Sequence, residues 1–247
     1  MNQKTKASAP LDILVLDIGG THVKVWATGQ RQSLKFVSGP DLGPAKMVAT
    51  VLAATPGWKY DAVSIGYPGP VVHGRPLAEP CHLGPGWVGF DFQKTFGRPV
   101  KMVNDAALQA LGSYQGGRML FLGLGTGLGS ACIANDVLEP MELAHLPYRK
   151  GRSYEEYVGL VGLERLGKKR WRHHVRKVIQ QLRNAVQADY VVIGGGNAKL
   201  IGKLPPCTRL GANANAFKGG DRLWQKMYNG PAQNRFNHDS HRNPPAF

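Results

Sequence analysis

Short apolar runs and two-residue alternation dominate the start of the chain, and both patterns predict β-strands. Residues 13–16 are continuously apolar, which is typical of a buried strand. Val23, Val25 and Ala27 then alternate with polar or aromatic residues, as in a strand with one buried face. The intervening Gly19-Gly20 pair predicts a tight turn between the two strands.

Strands and helices are predicted to alternate along the rest of the chain. Further strands are predicted at residues 33–37, 61–67, 99–103, 119–124, 131–134 and 189–193. Helices are predicted at residues 44–55, 106–114 and 154–186, after Asn197 and from Phe217. The pattern of strand, glycine turn and strand occurs twice, at residues 17–24 and 123–130, and indicates an internal repeat.

Composition narrows the class of protein. The 247 residues allow one large domain or two lobes, and a hydrophobic content of 43% supplies a core. Three separated cysteines argue against a disulfide framework and a cysteine-based zinc site. We find no signal peptide and no membrane-spanning run, and therefore expect a cytoplasmic protein without membrane contact. Residues 1–10 and 229–247 are expected to be flexible.

The charge is strongly positive and unevenly distributed. Lys and Arg total 31 against 16 Asp and Glu, so the net charge of +15 favours polyanions such as nucleic acid, anionic membrane or a phosphate polymer. Residues 149–183 hold 11 Lys or Arg and 3 Glu, a local net of +8. This segment is either a solvated basic helix face or a track for a long anion, with Arg172, Arg176 and Lys177 as candidate contacts.

The first glycine turn carries a candidate phosphate site. Asp17, Gly19, Gly20, Thr21 and Lys24 combine a carboxylate, a flexible backbone, a hydroxyl and a cation, which suits a phosphate with Mg²⁺. Asp17 is the candidate for the metal or its water, and Lys24 for the phosphate charge. The alternative is a plain Gly-Gly hairpin with a surface aspartate.

Two later glycine loops have a similar character. One loop follows a predicted strand and contains Gly125, Thr126 and Gly127. The other follows a later strand, opens a predicted helix and contains Gly194, Gly195 and Gly196. Exposed backbone N–H groups at such positions suit a phosphate or nucleotide. The alternating glycines of residues 123–129 lead into a strand, so we reject the dinucleotide fingerprint. The Walker pattern is also absent from the sequence.

Three further segments are candidates for binding or catalysis. Asn104-Asp105 ends a strand and opens a helix, where α/β folds place ligand chemistry, although Asp105 also suits a plain helix cap. Glu142 and His145 are three residues apart and suit a sugar or a metal, or else a packed histidine. Residues 68–89, rich in Gly and Pro, suit a binding loop or a lid, and Trp87 argues against a solvated linker.

The order of three motifs resembles a known family. Asp17-Ile-Gly-Gly-Thr21, Asn104-Asp105 and Gly125-Thr-Gly-Leu-Gly129 resemble the ROK-family sugar kinases of the actin-like ATPase superfamily, and the likeness runs from about residue 11 to residue 224. It implies a two-lobed α/β fold, ribonuclease H-like, with a cleft between lobes at residues 11–104 and 105–228. The segments 84–91, 166–171, 194–197 and 215–224 are most similar to the polyphosphate glucokinase branch.

The resemblance also implies an activity and roles for residues. It implies phosphoryl transfer from inorganic polyphosphate, or ATP, to the 6-hydroxyl of glucose, with Mg²⁺ at Asp17, the glycine loops on the phosphates and a homodimer. Asp105 is implied as the general base. The sugar-binding residues that it implies are Asn104, Asp105, Glu142, His145, Glu155 and His82.

Departures from the family pattern keep alternatives open. His82 stands where an Asn is expected, Ala144 where a Gly is expected and Ala212 where an Asp is expected. The alternatives are an ATP-dependent glucokinase, a kinase of another hexose, a non-catalytic sugar-binding protein and a nucleic-acid-binding regulator. The regulator is disfavoured because only about ten residues precede the first strand, too few for a helix-turn-helix.

Overall fold

The computed structural model describes residues 11–212 and 214–225. The termini predicted to be flexible, residues 1–10 and 229–247, lie outside the described residues. Within the described part, no helix is both long and apolar enough to cross a membrane. The chain forms two compact units that divide after Asp105. The functional lobes predicted at residues 11–104 and 105–228, and the cleft expected between them, stay predictions.

The first unit is built on a five-stranded sheet with the order β3-β2-β1-β4-β7. Its elements are β1 (Ile13–Ile18), β2 (His22–Ala27), β3 (Leu34–Val37), α1 (Pro44–Ala54), β4 (Ala62–Tyr67), β5 (Val71–Val72), β6 (Arg75–Pro76), α2 (Phe92–Phe96) and β7 (Val100–Asn104). Every residue of β1 and β4 is buried, whereas β2 alternates, as its sequence predicted. Continuous apolar runs therefore occupy the central strands.

The register of the first sheet brings polar strand ends to one edge. β1, β4 and β7 run parallel, with Asp17 opposite Gly66 and Gly66 opposite Val103. Because neighbouring strands lie about 4.8 Å apart, the Cα atoms of Asp17 and Val103 are about 10 Å apart across the sheet. Asp105 follows Val103 by two residues. The sheet thus carries both aspartates at its carboxyl edge.

The second unit repeats the same plan. Its elements are α3 (Asp105–Ser113), β8 (Arg118–Leu124), β9 (Leu128–Ala134), β10 (Val137–Met141), β11 (Pro147–Arg149), β12 (Arg152–Ser153), α4 (Glu155–Val158), α5 (Leu160–Ala185), β13 (Tyr190–Gly194), a 3₁₀ turn (Ala198–Leu200), β14 (Thr208–Leu210) and α6 (Asn215–Arg222). The sheet order is β10-β9-β8-β13-β14. Gly123 pairs with Gly194 across parallel β8 and β13, so two glycine loops leave the same edge. The mixed α/β class and the strand–turn–strand repeat are confirmed.

Helix α5 buries the apolar stripe that its periodicity predicted. Trp171, Val175, Val178, Ile179 and Leu182 are all buried. The single long helix predicted from residue 154 is wrong, because glycines interrupt it. Gly159 is extended and separates α4 from α5, and Gly167 has a φ of 71° inside α5. A left-handed residue breaks the helical ladder, and glycine adopts this conformation without steric cost.

Some predicted boundaries were wrong. The strand after the second glycine loop starts at Leu128, not at residue 131, because Leu128 already pairs with Leu124 in the hairpin. The helix predicted after Asn197 is only the 3₁₀ turn. Gly202, with a φ of 74°, and then Pro205-Pro206 prevent its extension.

Candidate active site

Asp17 and Lys24 form an ion pair at the first glycine turn. They face each other across β1 and β2, with Lys24 Nζ 2.8 Å from Asp17 Oδ2. The Asp17 side chain is only 5% exposed and that of Lys24 is 33% exposed. The surface-aspartate alternative is therefore wrong. The main role of Lys24 in this structure is to compensate the charge of the buried Asp17 carboxylate, because an unpaired buried charge is costly.

Ser38 fixes the shape of the first turn, a role that the sequence reasoning missed. Its hydroxyl donates to Gly19 O at 2.7 Å, and its backbone N–H donates to Thr21 O at 3.0 Å. Gly19 N–H also donates to His22 O at 2.9 Å. A serine just past a short strand gave no signal for this contact. The turn is therefore held in one conformation, with Thr21 exposed.

His82 lies against the same turn. A Cβ atom added at Gly20 would lie 3.2 Å from His82 Cβ, so only glycine leaves ordinary contact distance here. His82 itself is exposed. The structure thus brings His82 to Gly20, although the two residues are about 60 positions apart in the sequence.

Asn104 and Asp105 stand where β7 passes into α3, and both are half-buried. Asn104 Nδ2 donates to Gly69 O at 3.1 Å, which ties the strand end to the loop after β4. Asp105 is the first residue of α3. The helix dipole stabilises a negative charge at this position, and an ionised carboxylate is the form that a general base requires.

Glu155 is bound to the second glycine loop. Its Oε2 accepts from Leu128 N at 3.1 Å, and a Cβ atom added at Gly127 would collide with that oxygen. Its backbone N–H donates to Ala144 O at 3.0 Å, which links it to the Glu142–His145 segment. Glycine at position 127 is therefore needed for this carboxylate to approach the loop.

Glu142 and His145 point to solvent beside Glu155. His145 Nε2 lies 3.7 Å from Glu142 Oε1, and the His145 side chain is 73% exposed, so the packed-histidine alternative is wrong. Partial desolvation raises the pKa of Glu142; His145 opposes this effect and the charge of Glu155 adds to it. Glu155 is hydrogen-bonded to Ala144, which lies between Glu142 and His145, so these three candidate sugar ligands lie in neighbouring segments.

The third glycine loop packs onto the second. Gly195 has a φ of 85°, and any Cβ there would strike Leu124 O. Asn197 clamps the two loops together, with its N–H 3.0 Å from Leu124 O and its Nδ2 3.0 Å from Gly125 O. Sequence reasoning noticed Asn197 after the glycine run but did not assign it this role.

The basic face of α5 is partly used for structure. Arg172 Nε donates to Leu200 O, and Arg176 donates to Lys203 O at 2.9 Å and to Ile201 O at 3.1 Å. These two predicted anion contacts thus anchor the segment that follows the third glycine loop. Lys177, Lys199 and Lys203 are exposed beside these bonds, and we call them the basic track.

A buried histidine underlies this basic face. Tyr148 hydroxyl lies 2.9 Å from His174 Nδ1, and the Tyr148 ring stacks on Tyr154 with centroids 5.1 Å apart. Burial lowers the pKa of His174, and so do the nearby cations, among them His173 and Arg149. His174 is therefore neutral in the folded protein at neutral pH.

Acidification is expected to destabilise the protein partly through His174. Its folded pKa lies below the unfolded value of about 6.5, so its contribution is complete above that pH and is lost as the pH falls towards the folded pKa. Between about pH 7.5 and about pH 5.5, the melting temperature should fall more in the unsubstituted protein than in His174→Gln. Differential scanning calorimetry measures both melting temperatures. An equal decrease in the unsubstituted protein and in His174→Gln would contradict the role of His174.

The residues at the first turn suit Mg²⁺ bound through water. Within residues 11–212 and 214–225, no group of three or more His, Cys, Asp or Glu side chains could form a metal cage. Mg²⁺ commonly retains several waters and takes one or two carboxylates together with substrate phosphates. Asp17, a buried carboxylate beside a glycine turn, fits that mode of binding.

Comparison with known proteins identifies the fold. The inorganic polyphosphate/ATP-glucomannokinase from Arthrobacter sp. strain KM superposes with a TM-score of 0.71 at 23% identity, over 85% of this chain and 96% of that one. A ROK family glucokinase from Streptomyces griseus, in complex with glucose and AMPPNP, gives 0.68 at 16% identity, over 86% and 98%. The chain has the ROK sugar-kinase fold.

Sequence relatives agree with the ROK fold. A polyphosphate glucokinase from Mycobacterium tuberculosis is 27% identical over 213 residues, which span 77% of this chain and 80% of that protein. No protein-family model matches the chain. The resemblance found from the three motifs, and the actin-like α/β fold that it implied, are confirmed.

Proposed function

We propose that this ROK-fold protein is a kinase that transfers a phosphoryl group from inorganic polyphosphate to the 6-hydroxyl of glucose. The observation that carries the proposal is its relation to polyphosphate glucokinases across 77% of its length. The buried Asp17, the helix-initiating Asp105 and the paired glycine loops support retained chemistry over a non-catalytic sugar-binding role.

Asp105 is the proposed general base. The glucose 6-oxygen attacks the terminal phosphorus, and its proton passes to the Asp105 carboxylate. The bond from that phosphorus to the bridging oxygen breaks, and the polymer leaves one phosphate shorter. The products are glucose 6-phosphate and the shortened polyphosphate. Asp105 begins α3, and the positive end of a helix dipole favours a negative charge there.

Polar side chains of five residues are proposed to hold the sugar. They are Asn104, Glu142, His145, Glu155 and His82. Carboxylates and imidazoles suit hydroxyl recognition because each offers directional acceptors or donors. The exposure of His145 and Glu142 leaves their polar atoms accessible to a ligand. His82 replaces an expected amide, so the choice among hexoses is a property to be measured.

The glycine loops are proposed to receive the phosphates. Backbone N–H groups near Gly20, Gly127 and Gly194–Gly196, with the Thr21 and Thr126 hydroxyls, would donate to phosphate oxygens. Gly19 and Gly125, whose N–H groups bond to His22 O and Gly127 O, would shape the two loops. Asp17 would hold Mg²⁺, mainly through water. When bound, the ion would neutralise phosphate charge. Lys24 keeps Asp17 in position through their ion pair and adds positive charge nearby.

The basic track is proposed to guide the polymer. Lys199 and Lys203 follow the third glycine loop, and Arg172 and Arg176 hold this segment against α5. Lys177 lies one residue beyond Arg176 on the same helix. A series of cations leading away from a phosphate loop suits a long anion. Unlike ATP, polyphosphate has no base and therefore needs no base-binding pocket.

Reversing charge on the basic track is expected to affect one donor selectively. The double substitution Lys199→Glu and Lys203→Glu should raise the KM for polyphosphate about tenfold or more and the KM for ATP less than about twofold. Lys46→Glu with Lys59→Glu, two exposed lysines of the first unit, is the matched control. Equal changes for both donors would contradict the track.

The donor is tested by steady-state kinetics. Glucose 6-phosphate formation is compared with polyphosphate and with ATP, each with Mg²⁺ and over a range of salt concentrations. We expect a higher kcat/KM with polyphosphate that falls as salt screens the basic track. A higher kcat/KM with ATP, and no salt dependence with polyphosphate, favours the alternative of an ATP-dependent glucokinase. The homodimer and the cytoplasmic location stay predictions.

A further inference from the structure

The Glu79 carboxylate binds two backbone amides of its own loop. Its Oε2 accepts from Trp87 N at 3.0 Å and its Oε1 accepts from Val88 N at 3.1 Å. Hydrogen bonds from Trp87, Val88 and Gly86 lower the pKa of Glu79, although its side chain is exposed. One carboxylate thus joins the two ends of the segment 79–88, and no step of the proposed reaction uses it.

The Trp87 side chain anchors the carboxyl-terminal end of this loop. Its indole is completely buried, lies 5.7 Å from the Tyr67 ring centroid, and donates from Nε1 to Gly84 O at 2.7 Å. A Cβ atom added at Gly84 would lie 2.8 Å from Pro40 O, so the loop packs closely on the neighbouring backbone. Glu79 therefore connects an exposed loop to a buried anchor.

His82 is carried by the segment that Glu79 closes. Residues 79–88 contain no helix or strand, so their conformation depends on individual contacts: the two Glu79 bonds, the bond from Gly84 N to Leu42 O, and the buried Trp87. His82 lies in the middle, against Gly20 of the first glycine turn. We propose that Glu79 is a positioning residue, which holds His82 at that turn for sugar recognition. This inference rests on the proposed sugar-kinase function.

Removing the Glu79 carboxylate is expected to weaken glucose binding selectively. Glu79→Ala should raise the KM for glucose about tenfold and change kcat less than about threefold, as is typical when a supporting hydrogen-bond partner is lost. Glu139→Ala, which removes an exposed carboxylate on β10, should leave both constants unchanged. An unchanged glucose KM in Glu79→Ala would overturn the proposal.

A double-mutant cycle separates positioning from general loosening. If Glu79 acts through His82, then Glu79→Ala should raise the glucose KM no further in a His82→Ala background. Additive effects in the cycle would overturn the proposal, because they would place the influence of Glu79 elsewhere.

Amide hydrogen exchange provides a readout that does not depend on activity. The Trp87 and Val88 amides should exchange faster in Glu79→Ala than in Glu139→Ala, because their acceptor is gone. Unchanged exchange would overturn the proposal even if the KM rose. If the unsubstituted protein phosphorylates no glucose, the proposed function fails, while the exchange result still decides whether Glu79 orders the loop.

Discussion

Replacing Asp105 by Asn is expected to lower kcat for glucose phosphorylation about a thousandfold, with glucose affinity changed less than about threefold. General-base catalysis contributes roughly 10²–10⁴-fold to a rate, and the amide keeps the shape of the side chain without its basicity. Asp105 begins α3 at the carboxyl edge of the first sheet, two residues beyond the row that contains Asp17. Because Asn has the same shape and also suits a helix start, the change should affect chemistry far more than folding.

The controls for Asp105→Asn address folding and charge. Its melting temperature and glucose titration should match those of the unsubstituted protein, and Glu139→Gln should keep full activity because Glu139 is an exposed carboxylate on β10. A kcat within tenfold of the original would assign the base to another group or to water. Lost glucose binding would instead assign Asp105 to recognition.

Gly219→Ala is expected to destabilise the second unit by about 2–4 kcal/mol. A Cβ atom at Gly219 would collide with the backbone carbonyl oxygen of Leu108 and lie 3.1 Å from Gly112 N, so α3 and α6 meet backbone to backbone. A backbone atom cannot rotate away as a side chain can. The helices must separate, and α3 is the helix that begins with Asp105.

Denaturant unfolding of Gly219→Ala measures this close packing. Lys218→Ala is the matched control, since Lys218 is the exposed neighbour on the same helix and its loss should change the free energy of unfolding by less than about 0.5 kcal/mol. Equal stability of the two variants would show that α6 adjusts without cost. Such a result would contradict the close contact between the helix backbones.

Periodicity and glycine spacing predicted the framework well for physical reasons. Buried parallel strands require continuous apolar runs, so β1 and β4 were visible in the sequence. The repeat of strand, turn and strand needs glycines at both turns, so it was visible in the sequence. It predicted that the two units have similar five-stranded sheets. The apolar stripe of α5 was likewise determined by its own spacing.

Contacts between distant segments were beyond the reach of sequence spacing. Nothing near Asp17 shows that Lys24 neutralises it, because either residue alone suits a ligand. From the sequence, Arg172 and Arg176 were predicted to contact an anion. In the structure they donate instead to backbone carbonyls within residues 200–203. Helix breaks at Gly159 and Gly167 depended on backbone conformations that glycine permits but does not require.

The most direct measurement of the central claim is product analysis by ³¹P and ¹³C NMR. The purified protein is incubated with Mg²⁺, polyphosphate and glucose labelled with ¹³C at C6. We predict glucose 6-phosphate, recognised by carbon–phosphorus coupling at C6, together with a matching loss of polymer phosphate, and both changes about a thousandfold slower with Asp105→Asn. Unaltered glucose with both polyphosphate and ATP, in a protein shown to be folded, would contradict it.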